Sequence, residues 1–457
     1  MPISYTKLWK LLLDKDMSKT DLKEQSNIST NVLAKLGKNE AVSLDSIEKI
    51  CHTLKCDVGD IMEIIADSAN DDPSPLISEN GMVIYDRDYE KLKEIDWSFA
   101  NCRQDAISLL HPYPARFIEE LPRQLIAALG CKDGTIVFDP FCGSGTTLVE
   151  AQRLGVESIG VDLNPIACLI SRVKTKKLSD GFLEQAKLVA EKAEAQYLGN
   201  YISIPEIPNL DHWFRTDVQK ALSAMMSGIS AAQVPEDTKF AMLFALSSII
   251  VRVSNQESDT RYAAVQKRVI AQDVFKTFYT ACKKLAIAKL ETSFDTPAEV
   301  IESNILDVSP DRIGKKVGLV ITSPPYPNAY EYWLYHKYRM WWLGYDPISV
   351  RTYEIGARPH YQKKNGQTEL DFEKQMSQVF SLFDKTLIEG GHICIVIGRS
   401  IIKGREIDNA EMMTKIAKEH GYTPIAKIPR KIASSRKSFN LSYGKITTEH
   451  IMIYRRG

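Results

Sequence analysis

Two short segments of this chain concentrate residue types that can do chemistry. The first is Asp139-Pro140-Phe141-Cys142-Gly143-Ser144-Gly145-Thr146-Thr147. Its two glycines let the backbone turn with positive φ and let a ligand approach closely. The helix expected just after the turn presents unpaired N–H groups at its start. Asp162 follows 23 positions after Asp139, at the end of the next apolar run, where a ribose hydroxyl pair is commonly gripped in a strand–helix–strand unit. The spacing is neither G-x-G-x-x-G nor G-x-x-x-x-G-K-[ST], so a nicotinamide site and a P-loop are disfavoured. The second segment is Thr322-Ser323-Pro324-Pro325-Tyr326. The Ser323 hydroxyl and the Pro324 carbonyl are two hydrogen-bond acceptors, and the prolines fix the backbone so that little reorganises as charge develops. Tyr326 offers a ring face for stacking. Such a corner suits a planar amine whose lone pair is delocalised, a poor nucleophile that must be held in line with its electrophile.

The elements around these corners follow from pattern. Ile136–Phe138 is a short apolar strand, Leu148–Leu154 the helix after the turn, and Ser158–Val161 the next strand. That order starts a doubly wound, Rossmann-like α/β sheet. The strand pattern resumes at Gly318–Thr322, His392–Gly398 and Thr448–Tyr454. Between them, at about 176–300, helix-like runs (Leu183–Tyr197, Asp217–Met226, Lys239–Val253, Ala271–Leu290) predict a helical insertion. Residues 1–66 read as a separate all-helical unit, with Ser18 or Thr20, Ser29 and Ser43 as helix caps and Val58–Ile65 as a fifth helix. The stretch 67–95 begins with ADSANDDPSPLISENG, a linker-like composition, and the larger unit is expected over 96–457.

DPFCGSGTT resembles the cofactor motif of the S-adenosylmethionine-dependent amino-methyltransferases that act on DNA. The resemblance implies S-adenosyl-L-methionine as cofactor, with Asp139 near its methionine moiety, Phe141, Gly143, Gly145 and Thr146 in the turn around it, and Asp162 after the second strand. HPYPARF resembles the family's preceding motif, which closes over the methionine end and adds His111, Arg116 and Phe117. NILD resembles the loop whose acid, Asp307, reaches the adenine amino group. TSPPY then supplies the catalytic residues Ser323, Pro324, Pro325 and Tyr326, with Tyr326 stacking on an extruded base. Serine at the first position is typical of cytosine-N4 enzymes and Asp or Asn of adenine-N6 enzymes. Methylation at cytosine C5 needs a cysteine after a proline, and no Pro-Cys occurs; Cys142 is expected to pack.

Candidate DNA contacts come from three places. NAYEYWLYHKYRMWWLGYDP mixes rings and cations, with Tyr330 and Lys337 expected against substrate. Residues 420–448 hold six Lys/Arg and no Asp/Glu, with Arg430 and Arg436 expected to face phosphates. Residues 1–66 resemble Cro/C1-type helix-turn-helix domains, with Thr30, Asn31 and Lys35 exposed on the recognition helix Ser29–Leu36. Residues 1–65 carry nine Lys and no Arg against ten Asp+Glu, less basic than a strong phosphate binder.

At 457 residues, 44% hydrophobic and 25% charged, the chain is ordinary for a globular protein of two or three domains. The eight cysteines contain no C-x-x-C and the eight histidines no H-x-x-x-H, so zinc ribbons, zincins and a disulfide scaffold are disfavoured, and no metal site is expected. No apolar run is long enough to cross a bilayer and no secretory signal is seen, which predicts a cytoplasmic protein. The reading is a DNA methyltransferase acting on N4 of cytosine in double-stranded DNA with the target base flipped out, in a restriction–modification or defence system. A cognate restriction endonuclease belongs to that setting, and dimerisation stays open. Adenine-N6 methylation, an RNA base methyltransferase and a helix-turn-helix transcriptional regulator are the alternatives.

Overall fold

The computed structural model describes residues 3–15, 17–64, 75–78, 81–100, 102–199, 202–259, 261–292, 294–328, 331–363, 365–431 and 448–457. The chain divides into two units, Met1–Pro73 and Ser74–Gly457.

The first unit contains helices Thr6–Asp14, Lys19–Gln25, Thr30–Gly37, Leu44–Leu54 and Val58–Ile61. Short polar residues start them, since a side-chain oxygen satisfies an otherwise orphaned N–H. Ser18 accepts from the Asp21 N–H (3.2 Å) while Asp21 accepts from the Ser18 N–H (2.8 Å). Ser29 caps the third helix through the Val32 N–H (3.2 Å), and Ser43 caps the fourth. Tyr5, Leu8, Leu22, Leu36, Ile47, Ile50 and Ile61 fill the core. The fifth helix is shorter than the expected 58–65. Met62 turns extended, and Glu63–Ile64 pairs antiparallel with Ile3–Ser4. Consecutive β-branched isoleucines at 64 and 65 favour that extension.

The second unit is built on a nine-stranded sheet. Its strands are β1 (Leu76–Ile77), β2 (Val83–Ile84), β3 (Ile136–Asp139), β4 (Ser158–Asp162), β5 (Ala298–Glu302), β6 (Val317–Thr322), β7 (Leu387–Gly398), β8 (Tyr422–Lys431) and β9 (Thr448–Arg456). The spatial order is β1-β2-β8-β9-β7-β6-β3-β4-β5. Strands β5, β4, β3, β6 and β7 run parallel, and β9 joins β7 antiparallel. The order reverses between β3 and β6. In open α/β sheets, ligands bind at such a switch point, beyond the carboxyl ends of the strands.

The central parallel strands β3 and β6, and β7 from His392 onward, are buried on both faces, and their side chains alternate between two cores. Ile136 and Phe138 of β3, with Ile393, Ile395 and Ile397 of β7, meet Phe372, Phe380, Phe383 and Met413. Val137, Leu319, Ile321, Cys394 and Val396 point the other way, onto Leu121, Leu125 and Ile126. Helices Phe182–Leu198, Thr216–Ala231, Glu236–Val253 and Ala271–Glu291 form a third core beside the sheet, in the span expected for the insertion.

Two boundaries differ from expectation. Strands β1 and β2 fall inside the 67–95 span read as a linker, because β2 pairs with β8 through Ala426↔Ile84. Strand β5 begins before residue 300, at the edge of the sheet. Strand β8 was not expected at all. It contains Pro424 and Pro429, which argue against a strand, but the register shifts between Pro424 and Ala426, a bulge that accommodates the missing N–H.

Candidate functional site

The ends of β3 and β6 meet directly. The Thr322 hydroxyl donates to Asp139 Oδ1 (2.7 Å), and the Phe141 N–H donates to the same oxygen (3.1 Å). Burial pushes the Asp139 carboxyl up to about 6, against the hydrogen bonds that favour its charge. After Asp139 the chain makes the glycine turn. Gly143 has φ +49°, and a Cβ there would press on the Tyr113 ring at 3.2 Å. Gly145 has φ +74°, and a Cβ there would meet Ser171 Oγ at 2.7 Å. Neither position admits a side chain without displacement. The turn is fastened from both sides. Gly143 N–H donates to Asp162 Oδ2 (2.9 Å), the Ser171 hydroxyl donates to the Gly143 carbonyl (2.8 Å), and Lys174 Nζ donates to the Ser144 carbonyl (3.0 Å). Asp162 also accepts from the Asn164 N–H (2.8 Å). Burial raises the Asp162 carboxyl to about 6 and lowers the Lys174 ammonium to about 7.

A cavity opens over these strand ends. Its floor is Asp139 to Ser144, Thr146 and Thr147, with Asp162 to Asn164 on one side and Ser323 and Pro325 on the other. Tyr113, Ala115, Arg116 and Phe117 form a wall, Ser303 to Ile305 another, and Tyr332, Val350 and Tyr353 to Ile355 a roof. Ser144 Oγ, Thr146 Oγ1 and Asn164 Nδ2 are buried there without a protein partner. Orphaned polar atoms of this kind are expected to meet a ligand or water. Tyr113 stacks on Tyr332 (6.0 Å, 24°) and on His336 (5.2 Å, 27°).

The cavity gathers Arg116, Phe117, Asp139, Phe141, Gly143, Thr146, Asp162, Ser323 and Pro325 of the expected residues. Gly145 and Pro324 are not among its lining residues. His111 is not either. It is buried behind the wall, in contact with the Pro112 carbonyl (2.9 Å) and Ser247 Oγ (3.0 Å), and burial holds its imidazole neutral. Asp307 does not reach the cavity: it ends a short 3-10 turn with its side chain exposed, and Ser303, Asn304 and Ile305 line the wall instead. Tyr326 is another correction. Its ring lies in the sheet core and its hydroxyl donates to Glu449 (3.2 Å), so it offers no open stacking face here. The same Glu449 pairs with Arg430, whose guanidinium also donates to the Trp97 carbonyl (3.1 Å). Arg430 is 7% exposed, so it is a core ion pair rather than a phosphate contact. Lys337 is half-buried, with its ammonium over the rings of Tyr262 (4.3 Å) and Tyr338 (5.2 Å). Thr30 and Asn31 are exposed and Lys35 is half-exposed in the first unit. Tyr330 and Arg436 lie outside the described residues. Cys142 packs under the turn against Gly160, as a small apolar group.

Sequence reasoning missed Glu354 and Tyr332 as lining residues, and within NILD it named Asp307 where Asn304 and Ile305 line the wall. Glu354 is buried at the cavity, with its two oxygens accepting the Tyr332 and Trp333 N–H groups (2.9 and 2.8 Å). The one local signal was Gly356, just after it, which has φ +76°.

Residues 7–67 match a family model described as a Cro/C1-type HTH DNA-binding domain, and residues 57–172 match one described as DNA methylase. The chain is 25% identical over 240 residues to the Type II methyltransferase M.MvaI of Kocuria varians, covering 48% of this chain and 53% of that one. It is 25% identical over 278 residues to the Type II methyltransferase M.BsoBI of Geobacillus stearothermophilus, covering 52% and 53%. The chain thus spans about half the length of these relatives. A solved structure of the transcriptional regulator VanUg aligns at 53% identity over 14% of this chain and 85% of its own, with a TM-score of 0.14. Residues 57–172, which contain the glycine turn, are thus similar to DNA methylases, and residues 7–67 to Cro/C1-type HTH DNA-binding domains.

Proposed function

We propose that this protein methylates N4 of cytosine in double-stranded DNA, using S-adenosyl-L-methionine. The observation that carries the reading is that Gly143 and Ser323, 180 residues apart in the chain, line one cavity over adjacent strand ends. A donor on the glycine turn and an amine on the Ser-Pro-Pro corner would share that space.

The cavity fits the cofactor. Its orphaned Ser144, Thr146 and Asn164 atoms match the polar groups of a nucleoside, and Asp139, Asp162 and Glu354 suit its positive charge. Asp162 would take the ribose end, and Asp139, with Arg116 and Phe117 across from it, the methionine end. When bound, the cofactor supplies an electrophilic methyl group on a sulfonium. The protein's part is orientation. The Ser323 hydroxyl and Pro324 carbonyl accept from the target amine, which keeps its lone pair directed at the donor. The Thr322–Asp139 bond sets the spacing of the two corners. Serine rather than aspartate at 323 favours cytosine N4 over adenine N6.

The substrate side rests on the helix-turn-helix unit, whose exposed Thr30 and Asn31 and half-exposed Lys35 are suited to a duplex groove. The relatives' names, Type II methyltransferases, suit a setting in restriction–modification, and a cognate endonuclease and a cytoplasmic site of action are part of this proposal. Among the described residues no helix is long and apolar enough to cross a membrane.

The test is to incubate the protein with duplex DNA and labelled cofactor, digest to nucleosides and identify the product. N4-methyldeoxycytidine is the expected product. N6-methyldeoxyadenosine alone would overturn the choice of base, and label in transfer RNA but not in duplex DNA would overturn the choice of substrate.

A further inference from the structure

Glu354 belongs to neither corner of the site, but its neighbours pack against the Ser-Pro-Pro one. Its two oxygens accept the first N–H groups of the Tyr332–Trp342 helix, which carries Tyr332 into the cavity roof. Two residues on, Gly356 at φ +76° lies so close to the catalytic loop that a Cβ would touch the Pro325 and Tyr326 carbonyls at 3.2 Å. The Asn328 N–H donates to the Gly356 carbonyl (2.9 Å). The strap Tyr353–Ile355 is thereby held against the catalytic loop, and Glu354 lines the same cavity as Ser323.

The charge balance there is lopsided. Among the described lining residues, Asp139, Asp162 and Glu354 are acids and Arg116 is the cation. Arg116 donates to the Ser108 carbonyl, which is not among the lining residues. Buried carboxylates without a counter-charge are costly, and a protein keeps them where a cation arrives. The glycine turn and Asn164 supply hydrogen bonds to Asp162, and Thr322 supplies one to Asp139. Glu354 has two backbone N–H groups and is otherwise repelled by Asp162 and by Glu331, which itself sits 3.8 Å from Arg358.

We propose that Glu354 is the counter-charge for the cationic part of the bound cofactor, a specificity residue that separates the charged methyl donor from neutral nucleosides. The proposal rests on the methyl-transfer reading above and deepens it. Burial, first, and then repulsion by Asp162 and Glu331 hold the free carboxyl up at about 8, so it carries a proton at neutral pH. A cation placed beside it drives that proton off. Asp139 and Asp162, at about 6, have already released theirs by pH 7.5. Lys174, at about 7 on the opposite side of the turn, is the other group poised to titrate there.

The experiment is calorimetry at pH 7.5 on the full chain, in buffers of different ionisation enthalpy. The ligands are S-adenosylmethionine, S-adenosylhomocysteine, which lacks the sulfonium charge, and 5′-methylthioadenosine, which carries neither sulfonium nor ammonium. Wild type is expected to release protons with S-adenosylmethionine and none with 5′-methylthioadenosine. Glu354→Gln is expected to abolish the release and to weaken S-adenosylmethionine on the order of tenfold, the equivalent of one pKa unit, while leaving 5′-methylthioadenosine unchanged. An S-adenosylhomocysteine affinity that is untouched assigns the contact to the sulfonium, and one that falls in parallel assigns it to the ammonium. Proton release that survives in Glu354→Gln belongs to Lys174 and overturns the proposal, as does an equal loss of affinity for all three ligands. The wild-type measurements need no variant, so release that is equal for the charged and neutral ligands overturns it even if Glu354→Gln fails to fold. A wild type that binds no S-adenosylmethionine refutes the methyl-transfer reading instead.

Discussion

The floor and the roof of the cavity touch the same space but hold their shape differently. The floor, Asp139 to Thr146 with Ser323 and Pro325, is shaped by backbone: two positive-φ glycines, two prolines, and amide hydrogen bonds to Asp139 and Asp162. The roof, Tyr332 with Val350 to Ile355, is shaped by what its neighbours bury. Trp333, Met340, Trp342 and Val350 all sink into the core of the helical insertion, and Glu354 ties the two parts of the roof together. A floor of this kind tolerates almost no change of residue, whereas a roof of this kind tolerates change wherever packing is preserved.

The sharpest way to break that comparison is Gly145→Val. It forces a β-branched residue to φ +74° and drives its Cβ into Ser171. Strain and overpacking together cost roughly 2–5 kcal/mol, and the turn should lose S-adenosylmethionine affinity by more than about 100-fold. Gly314→Ala is the control. Its φ is also positive, at +63°, but its nearest neighbour is the Asp311 carbonyl at 3.4 Å. It should cost about 1 kcal/mol and leave affinity intact. Titration calorimetry with thermal melts on both variants checks this, and a Gly145→Val protein that binds normally would show that the floor is not rigid.

This contrast also explains what could be read from the chain. The glycine turn, the tetrapeptide and their flanking strands were legible because short stretches of local sequence dictate them: glycine where φ must be positive, apolar runs where strands are buried on both faces. The insertion helices were legible from their period. The roof was not, because Glu354 acquires its place through a tertiary contact 21 residues away in sequence, with Trp333. Arg430 failed for a related reason. A run of six basic residues without acids looks like a phosphate-facing surface, but Glu449, one position past its end, folds back onto Arg430 across the β8–β9 pair. Tyr326 failed with it, since its hydroxyl bonds to the same carboxylate. Asp307 was read from a tetrapeptide whose turn aims the acid at solvent.

A smaller effect tests the bond that spaces the two corners. Thr322→Val removes the hydroxyl that donates to Asp139 while keeping the β-branched shape. Leaving a buried acceptor short of a partner costs about 1–3 kcal/mol. The pH dependence should move as well. The folded carboxyls of Asp139 and Asp162, at about 6, hold protons that the unfolded chain has already released. Their contribution to stability is therefore present at low pH and is lost as pH rises through about 6. Affinity for a cationic cofactor runs the other way and should rise through the same window as the two acids ionise. Without the Thr322 hydrogen bond the Asp139 carboxyl is held up further, so in Thr322→Val the rise in affinity should shift to higher pH, and Thr322→Ser should restore it. Binding measured from pH 5 to 8 decides it, and an unshifted profile would mean that Asp139 is not the group being titrated.

The smallest effect sharpens the comparison from the roof side. Tyr332 contributes a ring stacked on Tyr113 at 6.0 Å, and its backbone N–H donates to Glu354. Tyr332→Leu keeps that hydrogen bond and most of the apolar contact but loses the ring pair, a change worth about 0.5–1.5 kcal/mol. If the roof is held by burial, the variant should melt within a few degrees of wild type and bind S-adenosylmethionine only a few-fold more weakly. Tyr332→Phe, which keeps the ring, should stay closer to wild type than Tyr332→Leu does. Should Tyr332→Leu instead cost as much as Gly145→Val, the roof would be as exacting as the floor, and the division between a backbone-shaped half and a packing-shaped half would fail.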